Sequence, residues 1–127
     1  MMTGSASNIA PDWITGLFEA IDSQNSAGFL EYLSADAEFR FGSAPSVFGQ
    51  EAVGAAVDSF FSTISGLTHR PSRFWIDAES IVCEGEVTYR RHDNSEICLP
   101  FTNVFDLVND RIARYRIYID ISPLYAQ

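Results

Sequence analysis

The stretch "SIVCEGEVTYRRHDNSEICLPFTNVFDLVNDRIARYRIYIDI", residues 80–121, alternates between apolar and polar side chains over three successive runs. A period of two is typical of β-strands, in which successive side chains point to opposite faces of a sheet. The runs are separated by the short polar segments HDN and VND, which have the composition of turns. The stretch therefore predicts a meander of three antiparallel strands.

The first hairpin decides which face of this meander is buried. A three-residue loop at HDN sets Arg91 opposite Ser95 and puts Asn94 in the left-handed conformation, which asparagine tolerates. A two-residue loop would instead turn Glu84 and Glu86 toward the apolar face, and burying two unpaired carboxylates would cost several kcal/mol. We therefore expect the odd-numbered residues to face inward. The expected pairs are Cys83 with Asn103, Gly85 with Phe101, and Val87 with Leu99.

The second hairpin extends the same pattern. A three-residue loop at VND pairs Phe101 with Ile117 and Asn103 with Tyr115. The odd-numbered set again faces inward, so the charges of "RYRIYID", residues 114–120, are expected on the outer face.

The rest of the chain predicts three helices and two further strands. Helical spacing of apolar residues is found in three segments: residues 11–24, residues 27–34, and a segment that carries Val53, Val57, Phe60 and Ile64. EFRF (38–41) predicts a short strand, and residues 42–49 predict a loop that has room for one or two extended residues. THRPSRFWI (68–76) predicts the first strand of the sheet that the meander completes. Three helices followed by a meander predict an α+β fold, with the helices on one face of a curved antiparallel sheet.

Composition limits the domain count and the partners. The 127 residues are enough for one domain, which we place at residues 11–127 after a flexible tail at residues 1–10. That tail lacks the features of a signal peptide, so a cytoplasmic location is expected. The net charge of −9 argues against a nucleic acid or an anionic membrane as partner, and no apolar run approaches the about 18 residues that span a bilayer.

Motifs for metals and cofactors are missing from the sequence. Cys83, Cys98, His69 and His92 do not have the close spacing of a structural zinc site. The sequence contains neither a glycine-rich phosphate loop nor a G-x-S-x-G nucleophile elbow. We therefore expect no metal and no cofactor.

The order of elements resembles a known superfamily over residues 11–125. Helices, then "FGQEAV" (48–53), then a meander ending in "YRIYIDISPLY" (115–125) resemble the nuclear transport factor 2-like superfamily, and its SnoaL-like branch in particular. The resemblance implies a cone-shaped α+β fold, in which a curved sheet wraps around about three N-terminal helices and encloses a pocket. Such proteins include steroid isomerases, epoxide hydrolases, dehydratases and polyketide cyclases, as well as non-catalytic binding and dimerisation domains.

Two of these activities lack their residues in this chain. Aligned with the steroid isomerases, Phe41 stands at the base, Leu17 at the tyrosine and Phe101 at the acid, and all three are apolar. Aligned with the limonene-type epoxide hydrolases, Phe39 and Phe41 replace the Tyr–Asn pair, and Ile117 replaces the aspartate of the family's W-R-D-Y-F-D strand. The resemblance therefore implies neither reaction.

The predicted site consists of the inward-facing groups that remain. Pairing Trp75 with Ile81 across the turn DAES puts His69 beside Val87 on the inner face, where it is the candidate acid/base near neutral pH. Tyr115 is the second catalytic candidate. The predicted ligand-binding wall contains Trp13, Phe39, Phe41, Cys83, Tyr89, Phe101, Asn103, Ile117 and Ile119.

Two functional hypotheses follow from this site. The first is a cyclase, isomerase or dehydratase that acts on an apolar cyclic substrate, with His69 as acid/base. The second is a non-catalytic ligand-binding or dimerisation module of the same fold. In either case the expected partners are an apolar small molecule in the cone and a second copy of the chain. The homodimer would form through the outer sheet face, where Tyr118 accompanies rows of Arg and Glu.

Overall fold

A computed structural model of the chain describes residues 5–7 and 11–126. Its strands form one sheet in the order β1-β4-β5-β6-β7-β2-β3, and its helices lie against the inner face. The elements are β1 (Ser5–Ser7), α1 (Asp12–Asp22), α2 (Ser26–Leu30), β2 (Leu33–Phe41), β3 (Val47–Phe48), α3 (Gln50–Phe61), β4 (Gly66–Asp77), β5 (Ser80–Arg90), β6 (Glu96–Val108), β7 (Arg111–Tyr118) and α4 (Ser122–Tyr125).

The sheet is antiparallel except at one pair of strands. β2 and β7 run parallel, and Phe39 lies opposite Tyr115 in that pair. The sheet is thus mixed, and it is curved and open rather than closed. The predicted α+β cone, with three helices in the N-terminal half of the chain, is confirmed.

α1 forms where the apolar spacing predicted a helix. Its buried stripe has the i, i+3, i+4, i+7 spacing of one helical face and consists of Ile14, Leu17, Phe18 and Ile21. Pro11 directly precedes the first turn, where its missing N–H costs no intrahelical bond. The helix therefore lays one apolar side against the sheet.

α2 is shorter and β2 longer than the sequence pattern predicted. The side chain of Asn25 accepts a hydrogen bond from the backbone N–H of Gly28 at 3.0 Å and starts α2. The helix ends at Leu30, and β2 begins at Leu33 rather than at residue 38. The prediction of a helix over residues 27–34 is therefore wrong in its second half, because the buried Leu33 belongs to β2 and pairs with Ile112.

Part of the predicted N-terminal tail is a strand. Ser5–Ser7 form β1, which pairs with Phe74–Ile76 of β4. The sequence pattern placed these three positions in the tail at residues 1–10 and predicted no strand there. The other residues of that tail lie outside the described part of the chain.

The hairpin of β5 and β6 confirms the predicted register. The pairs are Cys83 with Asn103, Gly85 with Phe101, and Val87 with Leu99. Asn94 adopts a positive φ of 71°, and the N–H of Arg91 donates to the carbonyl oxygen of Ser95. The odd-numbered side chains of these strands face the helices, as expected.

The hairpin of β6 and β7 has a different register from the predicted one. Asn103 lies opposite Ile117, and Tyr115 lies opposite Phe105, a shift of two residues along β6. Asn109 and Asp110 both have positive φ and form a two-residue turn, as in hairpins of type I′. The register then shifts at Asp106 and Leu107, where Ala113 is the additional residue in β7. Because the turn and this bulge compensate each other, Tyr115 still faces inward.

A second bulge lies in β4. His69 pairs with Val87 as expected, but Trp75 pairs with Val82 rather than with Ile81. The register shifts between Pro71 and Arg73, so Ser72 is the extra residue. The inward side chains of β4 therefore change from odd to even numbers along the strand.

The outer face carries the charges that the sequence pattern placed there. Arg114 contacts Glu38 through Nε and Oε1 at 3.2 Å, and Asp106 lies between Arg114 and Arg116 at 3.8 and 3.5 Å. Glu86 is solvent-exposed. None of the helices in the described part of the chain has the length and apolar character that a bilayer crossing requires.

Candidate functional site

A cavity of about 170 Å³ lies between the helices and the inner sheet face. Aromatic and aliphatic side chains dominate its wall, and the lining polar groups belong to His69, Tyr89 and Tyr115. The lining residues are Ile21, Phe29, Phe39, Phe41, Ala44, Ala56, Val57, Phe60, Phe61, Leu67, His69, Val87, Tyr89, Phe101, Tyr115, Ile117 and Ile119. Such a wall suits a largely apolar molecule that carries few polar groups.

His69 is held at this wall by contacts on three sides. Its Nδ1 lies 2.6 Å from Oδ1 of Asp22, and its backbone N–H donates to Oδ2 of the same carboxylate at 2.9 Å. Phe18 stacks on the imidazole with centroids 4.7 Å apart, and Phe101 meets it edge-on at 5.3 Å. The side chain is about 10% exposed. Within the described residues, Nε2 contacts no protein hydrogen-bond partner.

Asp22 is a residue of this site that the sequence reasoning did not select. It is the last residue of α1, whose final turn contains no basic residue. A carboxylate at a helix C-terminus is unfavourable with the helix dipole, so its presence there indicates a partner elsewhere. That partner is His69 on β4, 47 residues along the chain.

Tyr115, which lines the cavity, forms a buried pair with Asn103. Nδ2 of Asn103 donates to the Tyr115 hydroxyl at 3.4 Å, which is a long hydrogen bond. Both side chains are about 1% exposed, and Oδ1 of Asn103 has no hydrogen-bond partner among the described residues. Burial raises the pKa of Tyr115 well above its usual value, with further contributions from Cys83 and Tyr89. Tyr115 therefore stays protonated and can orient a polar group, but it is a poor base.

Tyr89 is a second neutral hydroxyl on the cavity wall. Burial raises the pKa of this phenol, and Tyr125 and Asp22 raise it further. Its ring lies edge-on to Phe60, with centroids 5.6 Å apart. Like Tyr115, it can take part in a hydrogen bond to a ligand but carries no charge near neutral pH.

Most of the residues predicted to bind ligand line the cavity. These are Phe39, Phe41, Tyr89, Phe101, Ile117 and Ile119, together with the two catalytic candidates His69 and Tyr115. They meet there because β2, β5, β6 and β7 all turn the expected faces toward the helices.

Trp13, Cys83 and Asn103 do not line the cavity, which corrects their predicted place on its wall. The ring of Trp13 packs edge-on against Phe105 at 5.2 Å, on a different part of the core. Cys83 is fully buried opposite Asn103, and burial raises the pKa of its thiol to about 12. Asn103 reaches the site only through its contact with Tyr115.

Metal ligands are not clustered in the described part of the chain, where no group of three or more His, Cys, Asp or Glu side chains could hold an ion. Four polar side chains therefore make up the site: His69, which is hydrogen-bonded to Asp22, and the neutral hydroxyls of Tyr89 and Tyr115.

The curved sheet and the helices on its inner face match the NTF2-like cone fold. The chain belongs to the family of SnoaL-like domains, which matches residues 14–115. The resemblance predicted from the sequence is thus confirmed. No curated protein matches the chain.

Solved structures show the same fold. A protein of ketosteroid isomerase-like fold from Catenulispora acidiphila, in complex with trimethylamine, has a TM-score of 0.82 and 12% identity, over 90% of this chain and 89% of that one. An NTF2-like protein of unknown function from Burkholderia pseudomallei has a TM-score of 0.80 and 19% identity, over 87% and 90%. TerC, co-crystallised with polyporic acid, has a TM-score of 0.78 and 13% identity, over 88% and 92%. At these identities the likeness concerns the fold alone.

Proposed function

We propose that this protein binds an apolar cyclic molecule in the cavity and that His69 transfers a proton on it, as a cyclase, isomerase or dehydratase requires. Membership of the SnoaL-like family supports a small-molecule role, and TerC shows that a protein of this fold can be crystallised with a small organic compound. The observation that carries the proposal is an imidazole on an otherwise apolar wall, paired with a carboxylate at 2.6 Å.

His69 is the side chain best suited to move a proton there. The raised pKa values of Tyr89 and Tyr115 keep both hydroxyls protonated, so neither accepts a proton readily. Both oxygens of Asp22 already bind His69, one at Nδ1 and one at the backbone N–H. The imidazole is therefore the acceptor that a substrate can reach, and Asp22 stabilises the imidazolium that forms.

A non-catalytic binding module is the second candidate. The residue that aligns with the steroid isomerase base is Phe41, and the residue that aligns with its acid is Phe101; both lie on the cavity wall. A cavity that has lost the carboxylates of related enzymes could hold a ligand without converting it. This observation favours binding alone.

Replacement of His69 separates the two candidates. A thermal-shift screen of apolar cyclic compounds identifies a ligand, and turnover and affinity are then measured for the wild type and His69→Gln. Glutamine keeps much of the size and hydrogen bonding but does not titrate. Loss of general acid–base catalysis reduces turnover by about 10²–10⁴-fold, while affinity falls far less.

His92→Gln is the matched control. His92 is exposed, and its Nε2 lies 2.9 Å from the carbonyl oxygen of Ser62, away from the cavity lining. We expect this variant to retain full turnover. Turnover that survives in His69→Gln would refute the role of His69. Binding without turnover in every variant would leave the non-catalytic module as the function.

A further inference from the structure

We propose that Asp22 is a positioning residue that holds His69 in the Nδ1–H tautomer, so that the unprotonated Nε2 faces the cavity ligand. The inference rests on the proposed function, because it concerns what the same imidazole offers to a substrate. It goes beyond that function by assigning a tautomer to His69 and a hydrogen-bonding preference to the ligand.

The contacts of the carboxylate determine the tautomer. An aspartate carboxylate has acceptor oxygens only, so the 2.6 Å contact between Oδ1 and Nδ1 requires the hydrogen to reside on Nδ1. The second oxygen is not free to move away, since Oδ2 accepts the backbone N–H of His69 at 2.9 Å. Asp22 thus hydrogen-bonds to both the side chain and the main chain of His69.

The strand edge explains why the carboxylate lies there. In the described part of the chain, β1 pairs with β4 only at Phe74–Ile76. The N–H of His69 is directed to α1 rather than into a strand ladder, and Asp22 supplies the acceptor that it needs. The backbone N–H of His69 therefore holds the carboxylate in place, and the carboxylate in turn orients the imidazole ring.

Aromatic packing keeps the ring in this orientation. Phe18 lies nearly parallel to the imidazole, with 18° between the ring planes. Phe101 packs against the imidazole with its ring plane inclined by 75°. Turning the ring over would bring a carbon atom against the carboxylate and lose the hydrogen bond of Nδ1. The cavity therefore meets a lone pair rather than an N–H group.

The lone pair on Nε2 favours ligands that donate a hydrogen bond. A molecule that donates a hydrogen bond, such as an apolar ring compound bearing a phenolic or enolic hydroxyl, satisfies Nε2. An otherwise equal molecule with only acceptor atoms leaves Nε2 unpaired inside an apolar wall. We expect the cavity to prefer naphthol over its methyl ether by roughly threefold to tenfold, the value of one neutral hydrogen bond.

The ¹⁵N spectrum of the labelled protein tests the tautomer directly. In its neutral form, His69 should show a pyridine-type Nε2 and a pyrrole-type Nδ1. His92 provides an internal reference of the opposite kind, because its Nε2 lies 2.9 Å from the carbonyl oxygen of Ser62 and must carry the hydrogen there.

Asp22→Asn should reverse the tautomer of His69. The backbone N–H still needs an acceptor, so the amide oxygen takes that role and the amide NH₂ group faces Nδ1. An NH₂ group can only donate to Nδ1, which moves the imidazole hydrogen to Nε2. The preference for naphthol over its ether should then disappear. Glu19→Gln, an exposed change on the same helix, should leave both the tautomer and the preference unchanged.

The outcomes distinguish this inference from the proposed function. An Nε2–H tautomer in the wild type, or the same tautomer in the wild type and Asp22→Asn, would overturn the role of Asp22. If Asp22→Asn does not fold, the wild-type spectrum alone decides. Failure of both naphthalene probes to bind would count against the proposed function, and would not alter a measured Nδ1–H tautomer.

Discussion

Gly85 of β5 lies directly against the backbone of Arg70 in β4. A β-carbon at Gly85 would lie 2.4 Å from the carbonyl oxygen of Arg70, far inside contact distance. This close approach occurs where β4 bulges at Ser72. The bulge changes the alternation of β4, and for that reason both His69 and Phe74 face inward. A strand of regular alternation would turn one of the two outward.

Gly85→Ala should therefore destabilise the fold and disturb the position of His69. Backbone atoms cannot move aside as a flexible side chain can, so we expect the free energy of unfolding to fall by about 1–3 kcal/mol. Gly66→Ala is the control, since its β-carbon would meet only the end of the Arg90 side chain, at 3.3 Å, and no backbone atom. Urea denaturation of both variants measures the difference, and equal stabilities would contradict the bulge at Ser72.

The fold was predictable from the sequence because alternation reports which face a side chain takes. The inward set of β5 and β6 followed from one turn and from the cost of burying Glu84 and Glu86. Alternation does not report register when two irregularities cancel. The two-residue turn at Asn109 and the bulge at Ala113 together keep Tyr115 inward, so the pattern looks regular although the pairing is shifted by two.

A pair of substitutions tests the faces of the sheet by stability. Phe101 is 4% exposed and packs against Phe18 and His69, so Phe101→Ala should cost about 3–5 kcal/mol as a large core truncation. Glu86 is exposed, and its carboxylate comes no nearer than 3.9 Å to the guanidinium group of Arg70. Glu86→Ala should therefore change stability by no more than about 0.5 kcal/mol. Thermal or urea denaturation measures both. A large loss for Glu86→Ala, or a mild one for Phe101→Ala, would mean that the sheet is turned the other way.

The two cysteines should differ sharply in reactivity. Burial raises the pKa of Cys83 to about 12, with Glu84 contributing, so its reactive thiolate is negligible near pH 8. Cys98 is exposed, and Nη2 of Arg70 lies 3.2 Å from its sulfur. A thiol reagent should modify one cysteine per native chain and two in denaturant. Cys98→Ser should abolish the native reaction, and Cys83→Ser should retain it; two fast thiols in the native wild type would contradict the burial of Cys83.

The raised pKa of the Cys83 thiol also determines the direction in which the stability of the fold changes with pH. Folding favours the neutral Cys83 thiol, so its contribution to stability is complete below the ordinary pKa of 9.0 and is lost as the pH rises toward 12. Between these values the free energy of unfolding should fall less steeply with pH in Cys83→Ser than in the wild type. Equal slopes would show that the thiol ionises as easily in the folded chain as in the unfolded one.

The candidate site was only partly predictable from the sequence, because Asp22 and His69 lie 47 residues apart in the chain. His69 could be placed from the register of β4, because its partner Val87 lies in the neighbouring strand. Asp22 could not, since nothing in a strand pattern shows where the end of α1 meets the sheet. Its unfavourable place at the helix C-terminus was the available signal.

The outer sheet face supports the last prediction, a homodimer. Trp75, Val82 and Val104 form a partly exposed row across β4, β5 and β6, and Tyr118 lies nearby at 51% exposure. Arginine and acidic side chains surround this row with both signs of charge, so the surface can pair with a copy of itself about a twofold axis. We propose that it does so, and sedimentation at tens of micromolar should then give twice the mass of one chain.

Val82→Glu, which places a carboxylate in the middle of the row, should produce monomers. Val108→Glu, the same type of substitution at the exposed end of β6, should leave the dimer intact. A wild type that sediments as a single chain, or a Val108→Glu variant as monomeric as Val82→Glu, would contradict this interface.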